Sequence, residues 1–316
     1  MPSIWAMNAA RIVALVVRAI AVCLAILFSH AGGANVQSAD GLRAKYNELL
    51  PRLKDNHFQK PLYLESSESS NGAIVGDVYA VVAHPFATAA PALSAANGWC
   101  DILLLPANTK YCRAAAGGQG SVLNVRIGRK ADQPVEQAYK VDFVHQVLAR
   151  TENHLQVQLS ADQGPVGTRN YRIVLNAIPI EQDRTFIHLS YSYSVGSMGR
   201  MAMQMYLGTS GRDKVGFTVT GNQGDGRPVH VGGMRGVIER NSMRYYLAIE
   251  AFLGALSATP EARLEKRLRD WFAATERYPR QLHEMEQADY LALKRKDYQR
   301  QRAGPLASES TGGPSR

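Results

Sequence analysis

The segment covering residues 76–112 strongly constrains how this chain can fold, because its character changes several times over a short distance. Residues 78–82 form a short apolar run rich in β-branched and aromatic side chains, which is typical of a strand. Pro85 ends this run, since proline cannot continue a hydrogen-bonded ladder. An Ala-rich helix is expected next, and the pair Asn97-Gly98 predicts its end just before Trp99.

This order resembles the opening of START-like domains, also called helix-grip or SRPBCC domains. There, a strand ends in a proline-containing turn, short helices follow, and a Trp precedes the next strand. The resemblance extends over about residues 62–256. It implies an α+β fold in which an antiparallel curved sheet wraps around a long C-terminal helix, leaving an apolar cavity between them.

The pattern after the opening segment is one strand after another. Runs of apolar or alternating residues predict strands at 61–66, 122–127, 139–148, 155–159, 171–177, 185–195 and 214–219. Asn71-Gly72 is a hairpin turn signal, and residues 221–233 are expected to form a flexible Gly-rich loop. The connections are too short for crossover helices, so we expect antiparallel pairing.

Apolar residues at helical spacing occur both before and after the predicted strands in the sequence. The pattern predicts an N-terminal helix within residues 35–60 and the long gripped helix at residues 239–257, both by apolar steps of three and four. The START-like domain is thus expected at 61–258. Thr259-Pro260 begins a charged helical extension at 259–303, and the Ser/Gly/Pro-rich end at 304–316 is expected to be disordered.

The N-terminus has the features of a secretory signal peptide at residues 1–34. Arg11 and Arg18 precede and flank an apolar run that ends in small residues, and cleavage after either Ala31 or Ala34 fits the small-x-small rule. We therefore expect a periplasmic or secreted protein. The alternative is an uncleaved membrane anchor, against which the shortness of the apolar run argues.

Removing the leader removes Cys23 and leaves Cys100 and Cys112. Two nearby cysteines in an exported chain predict an intramolecular disulfide, with a pair of buried thiols as the alternative.

Export also changes how the formal charge of +9 is interpreted, since about +7 remains without Arg11 and Arg18. We expect no nucleic-acid partner. The basic helical tail can meet an anionic membrane surface instead, or the charge can be an ordinary solvated surface.

Residues 185–195 have two different faces, and one of them is expected to line the cavity that the resemblance implies. Tyr191 and Tyr193 share a face that we predict to point inward, where their hydroxyls would supply a few polar contacts. His188 lies on the same strand and is included as a candidate ligand-binding residue, although a purely structural histidine is the alternative. Ordinary core or surface roles for the tyrosines remain open.

Four further residues complete the predicted ligand-binding set. Met201 and Met205 belong to a Met-rich segment, expected to be a short helix, whose side chains would adapt to a lipid-like guest. Phe217 on the predicted strand at 214–219 and Tyr246 on the long helix are assigned to the same cavity. A plain core role is the alternative for the methionines.

No motif in the sequence indicates a catalytic or metal centre. The histidines are scattered without metal-ligand spacing, no G-x-S-x-G elbow occurs, and the Gly-rich loop lacks a phosphate-binding pattern. We therefore expect no cofactor and no metal, and non-catalytic binding of a lipid or other hydrophobic small molecule. A START-like enzyme of cyclase or hydrolase type, or an envelope interaction protein with a filled core, remain as alternatives.

Overall fold

The computed structural model describes residues 38–303, apart from positions 71, 119, 197–198, 202–204, 206–207 and 209–212. Its main sheet contains β1 (Leu62–Glu68), β2 (Ala73–Val82), β3 (Thr109–Gly117), β4 (Gly120–Ile127), β5 (Tyr139–Arg150), β6 (Leu155–Gln163), β7 (Thr168–Glu181) and β8 (Arg184–Val195). A separate hairpin pairs β9 (Val219–Asn222) with β10 (Pro228–His230). The helices are α1 (Ala39–Lys54), α2 (Phe86–Ser94), α3 (Ala96–Leu103), α4 (Gly233–Gly254), α5 (Pro260–Thr275), α6 (Pro279–Leu282) and α7 (Gln287–Arg302).

The eight strands form one curved sheet in the order β1-β2-β8-β7-β6-β5-β4-β3. Every neighbouring pair is antiparallel. Hairpins join successive strands throughout except between β2 and β3, where α2 and α3 intervene. The predicted α+β class, with an antiparallel sheet gripping a long helix, is confirmed.

Helix α4 is the long helix, and it lies across the inner face of the sheet. Its side chains Ile238, Met243, Leu247 and Ile249 are buried in the same core as the inward residues of the strands. At 22 residues it is about 33 Å long. The helix begins at Gly233, six residues before the predicted start at residue 239. The prediction missed its first turns because they contain glycines and Arg235 and therefore lack the apolar spacing on which it rested.

The outer face of the sheet is covered by α1 at one end. Leu42 and Leu49 of this helix pack against Tyr79 and Phe186, forming a second, smaller apolar cluster. Ser38 caps the helix by accepting a hydrogen bond from the Gly41 amide at 3.1 Å. The N-terminal helix predicted from its apolar spacing is therefore present and packed on the domain.

Trp99 lies within a helix, which corrects the prediction that a helix ends at Asn97-Gly98. The break comes earlier, at the extended residue Ala95 between α2 and α3. Gly98 serves close packing: a Cβ at this position would lie 2.6 Å from the Ala92 carbonyl oxygen. The Trp99 indole N–H donates to the Leu93 carbonyl oxygen at 2.7 Å, which fixes the turn between the two helices.

Residues 214–218 do not form a strand, which corrects a second prediction. The backbone amides of Phe217 and Thr218 donate to the Glu239 carboxylate at 2.6 and 2.9 Å instead of to a neighbouring strand. The strand β9 begins only at Val219, and it pairs with β10 inside the segment predicted to be a flexible loop.

The charged extension packs onto the domain. Leu268, Trp271 and Tyr290 belong to the main core, and the Tyr290 hydroxyl donates to the Leu105 carbonyl oxygen at 2.9 Å. Three helices, α5 to α7, occupy this part of the chain. The core is therefore continuous across the domain boundary predicted at residue 258.

The predicted disulfide between Cys100 and Cys112 is present, and it ties α3 to β3. The predicted signal peptide, the predicted disordered tail and several positions of the Met-rich segment lie outside the described residues. Within the part of the chain that the structure describes, no helix has both the length and the apolar character that crossing a membrane requires.

Candidate functional site: a tyrosine-lined cavity

The inner face of β8 carries Tyr191 and Tyr193, as predicted from the alternation along this strand. Successive side chains of a strand point to opposite faces, so both tyrosines point toward α4. The Tyr191 ring meets the Tyr245 ring of α4 edge to face, with centroids 5.2 Å apart. From β7, Tyr171 stacks on Tyr193 with centroids also 5.2 Å apart. Four tyrosines from three elements thus form one aromatic cluster.

This cluster lines a cavity of about 230 Å³ between the sheet and the first half of α4. The walls come from the sheet, from α4 and from two loops, one before β3 and one before β7. The described lining residues are Pro106, Asn108, Ile127, Phe143, Pro165, Val166, Thr168, Tyr171, Tyr191, Tyr193, Val237, Asn241, Arg244 and Tyr245. Aromatic and aliphatic side chains predominate, with a few polar groups among them.

Most of the tyrosine hydroxyls in the cluster have unused hydrogen-bonding capacity. The Tyr171 hydroxyl pairs with the Thr168 hydroxyl at 2.7 Å. For Tyr191, Tyr193 and Tyr245, the described part of the chain offers no hydrogen-bond partner. Burial raises the pKa of each of these three tyrosines, so they are protonated at neutral pH. The cavity therefore presents uncharged O–H groups within an apolar surface.

One edge of the cavity is charged. The Arg244 guanidinium lies there, donating to the Asn241 side-chain oxygen at 3.2 Å and contacting the Glu284 carboxylate at 2.5 Å. Its side chain is only 11% exposed. Desolvation acts to raise the pKa of Glu284, but the positive charges of Arg244 and Lys130 outweigh it, so the net shift is downward and Glu284 is ionised.

The structure places His188 on the opposite face of the sheet from the cavity, which corrects its grouping with Tyr191 and Tyr193. Side chains alternate between the two faces of a strand, so His188 and Tyr191, which are three residues apart, must lie on opposite faces. His188 pairs with Asp77 at 2.8 Å and stacks on Tyr79 with centroids 4.3 Å apart. Its environment is that of a structural histidine.

The other predicted ligand-binding residues also lie outside the described lining. Phe217 is fully buried and packs against Tyr278. Tyr246 is buried too, and its hydroxyl donates to Glu250 at 2.8 Å, on a different side of α4 from Tyr245. Met201 and Met205 are exposed by 66% and 68%. Of the seven predicted residues, the cavity brings together Tyr191 and Tyr193.

The lining residues that sequence reasoning missed include Phe143, Tyr171, Arg244 and Tyr245. Tyr171 carried a usable signal, because it begins the inward row that Ile173 and Leu175 continue along β7. Tyr245 and Arg244 lie beside the predicted apolar stripe of the long helix. Their proximity to the strands depends on how far that helix is rotated, which spacing alone does not define.

Two larger depressions lie on the protein surface. One, of about 630 Å³, includes Phe86 and Pro91 at the far end of the sheet, and the other, of about 410 Å³, includes His57 and Arg235. Both are more open than the tyrosine cavity, and neither includes any of its tyrosines. Among the described residues, no group of His, Cys, Asp and Glu side chains is arranged to hold a metal ion.

No protein-family model matches the chain, and no curated protein sequence matches it either. Solved structures do show similarity. A truncated norcoclaurine synthase from Thalictrum flavum is 20% identical, with a TM-score of 0.32, over 46% of this chain and 89% of that one. A conserved protein from Geobacillus kaustophilus is 14% identical, with a TM-score of 0.34, over 57% and 95%.

A third similar structure is a START superfamily protein from Mycobacterium smegmatis. It is 18% identical, with a TM-score of 0.29, over 43% of this chain and 89% of that one. The helix-grip arrangement follows from this chain's own strand order and long helix.

Proposed function

We propose that this protein binds a small hydrophobic molecule, without catalysis, in the cavity lined by Tyr171, Tyr191, Tyr193 and Tyr245. The observation that carries the proposal is an apolar cavity whose tyrosine hydroxyls are largely unpaired within the described protein. None of these hydroxyls is among the fully buried side-chain atoms that lack a partner in the described chain, so they are open to solvent or to a guest. A guest with an apolar body and one or two polar atoms would fill the space and supply those partners.

The volume narrows the size of the guest. A dry cavity of about 150 Å³ accommodates one benzene, while pockets for drug-sized ligands usually measure about 300–1,000 Å³. A cavity of about 230 Å³ therefore suits a one- or two-ring aromatic molecule or one short acyl chain. This size favours a small hydrophobic molecule over a two-chain lipid.

We further propose that the protein is exported and acts in the periplasm or outside the cell, after cleavage of the leader at residues 1–34. The leader pattern and the disulfide between Cys100 and Cys112 support this, since disulfides persist in oxidising compartments. Intact-mass measurement of protein recovered from a cell-envelope fraction would test it. A mature chain beginning at Gly32 or Asn35 is expected, and a full-length chain starting at Met1 would favour the anchored alternative.

The described lining gives catalysis no specific support. Its titratable side chains are four protonated tyrosines and one arginine that is already ion-paired.

A membrane-surface role for the tail has weaker support than binding in the cavity, because several of its cations pair with acids. Examples are Arg295 with Glu265 at 2.6 Å and Arg300 with Asp132 at 2.9 Å.

Native mass spectrometry of the protein purified from its own cell envelope tests the binding proposal. We expect a bound small molecule that is released on denaturation. Val237→Trp, which fills the cavity from α4, should carry none, whereas Val147→Trp should retain it because Val147 is exposed and lies outside the lining. A wild-type protein without any bound mass, or equal occupancy of all three proteins, would contradict the proposal.

A further inference from the structure

The Arg244 guanidinium combines burial with unused donors. Of its five N–H groups, the structure pairs one with Asn241 at 3.2 Å and another with Glu284 at 2.5 Å. Its Nε atom is buried, and no partner for it is found in the described part of the chain. Because Arg244 lines the cavity, a ligand atom that accepts from one of its terminal N–H groups would gain a charge-assisted hydrogen bond.

The charges around Arg244 do not balance. Glu284 is the carboxylate that Arg244 contacts, and Lys130 binds the same oxygen of this carboxylate at 2.5 Å. Lys214 lies close by, donating to the His283 carbonyl oxygen at 2.5 Å. Arg244 and Lys130 thus share one carboxylate at the edge of the cavity, and Lys214 lies within electrostatic reach of Glu284 and Glu276.

The neighbouring acids offset only part of this positive charge, since Glu276 acts on Lys214. Glu276 is paired with His283 at 3.0 Å. The Glu239 carboxylate accepts hydrogen bonds from the Phe217 and Thr218 amides and from the hydroxyls of Ser66 and Thr218. The local excess is positive, and it adjoins the cavity through Arg244, which is one of its lining residues.

We infer that the natural ligand is an apolar carboxylate, whose hydrophobic body contacts the tyrosine cluster while its carboxylate pairs with Arg244. This inference rests on the proposed function and adds the charge of the ligand to it. A guanidinium matches a carboxylate in shape, because its planar fork can donate two parallel hydrogen bonds. In a low-dielectric site, such charge-assisted bonds are stronger than neutral ones.

Two probes with the same ring system separate charge from hydrophobic fit. 2-Naphthoate carries the carboxylate, and 2-naphthamide is its neutral counterpart of nearly equal size. Isothermal titration calorimetry at low salt should show that the wild-type protein binds naphthoate at least about tenfold more tightly than naphthamide. Raising the salt concentration should reduce this preference, since salt screens the ionic part of the interaction.

Arg244→Gln removes the cation and keeps a polar side chain. The naphthoate preference should disappear in this variant while naphthamide binding is retained. Arg263→Gln is the matched control, because Arg263 donates to the Leu256 and Ala258 carbonyl oxygens outside the described cavity lining. If Arg244→Gln does not fold, Lys130→Gln, at a half-exposed position, should reduce the preference severalfold.

The outcomes distinguish the inference from the proposed function. If the wild-type protein binds both probes equally, or if Arg244→Gln keeps the preference, the inference is wrong and the proposed function stands on naphthamide binding. If neither probe binds the wild-type protein, both are wrong. A preference lost in Arg244→Gln and kept in Arg263→Gln supports the inference.

Discussion

Gly76 in β2 and Ser242 in α4 bring the sheet and the long helix into direct contact. The Ser242 hydroxyl donates to the Gly76 carbonyl oxygen at 3.2 Å. A Cβ placed on Gly76 would lie 2.5 Å from that hydroxyl oxygen and 3.1 Å from the Ile238 side chain. The absence of a side chain at residue 76 therefore sets how closely the helix approaches the sheet beside the cavity.

Gly76→Ala should destabilise the protein by about 1–3 kcal/mol, because the added methyl group overpacks the contact between β2 and α4. Urea denaturation measures this directly. Gly118→Ala is the matched control, since a Cβ at Gly118 meets no atom within 4 Å. Equal stabilities of the two variants would show that the contact between sheet and helix is looser than described.

Reduction of the disulfide should lower the free energy of unfolding by about 3 kcal/mol. Cys100 and Cys112 close a short loop, and the estimate follows from the chain entropy that this loop removes from the unfolded state. Urea denaturation with and without reductant provides the measurement. The double variant Cys100→Ala with Cys112→Ala should not respond to reductant, and a wild-type protein that is also insensitive would contradict the prediction.

A buried cation should make stability depend on pH. Lys294 and Asp297 are both fully buried and lie 3.0 Å apart. Burial lowers the pKa of Lys294 to about 8, against the opposing effect of Asp297. Above that pH the unfolded chain holds a proton that the folded chain has lost, so the free energy of unfolding rises with pH until the lysine titrates in the unfolded chain as well.

Lys294→Met removes this proton difference. Between pH 7.5 and 9.5, the stability of the wild-type protein relative to the variant should increase by about 1–2 kcal/mol, at 1.36 kcal/mol per pH unit above the folded pKa. Urea denaturation at three pH values in this window avoids the ionisation of unfolded tyrosines near pH 10. Parallel pH profiles of the two proteins would show that Lys294 does not titrate as stated.

His188→Gln should leave binding in the cavity unchanged, because His188 lies on the outer face of the sheet. Its affinity for 2-naphthamide should stay within about twofold of the wild-type value. Stability should fall by about 0.5–1.5 kcal/mol, since glutamine can still donate to Asp77 but loses the ring stacking on Tyr79. A marked loss of affinity with unchanged stability would place His188 in the binding site after all.

The sequence predicted those features that follow from local periodicity. Alternation along β8 correctly put Tyr191 and Tyr193 on the inner face, and apolar spacing located both α1 and α4. The same alternation places His188 on the other face from the tyrosines. The sequence therefore contained the information that separates His188 from the cavity, and assigning all three residues to one site did not follow from it.

Long-range contacts explain what could not be predicted. Phe217 and Thr218 leave the strand pattern because their amides bind Glu239, which is more than 20 residues away in sequence. Arg244 and Tyr245 reach the cavity through the rotation of α4 against the sheet. Gly98 resembles a helix stop in the sequence, yet it serves the close approach of α2 and α3.

The most direct test of the central claim is isothermal titration calorimetry with the neutral probe 2-naphthamide. It compares the wild-type protein with the Val237→Trp and Val147→Trp variants. We predict that the wild-type protein binds the probe and that Val237→Trp weakens its affinity at least about tenfold, because the indole would occupy the cavity. Val147→Trp should leave the affinity unchanged. Absence of binding to the wild-type protein, or equal affinities for all three proteins, would contradict the claim that the sheet and the long helix enclose a ligand site.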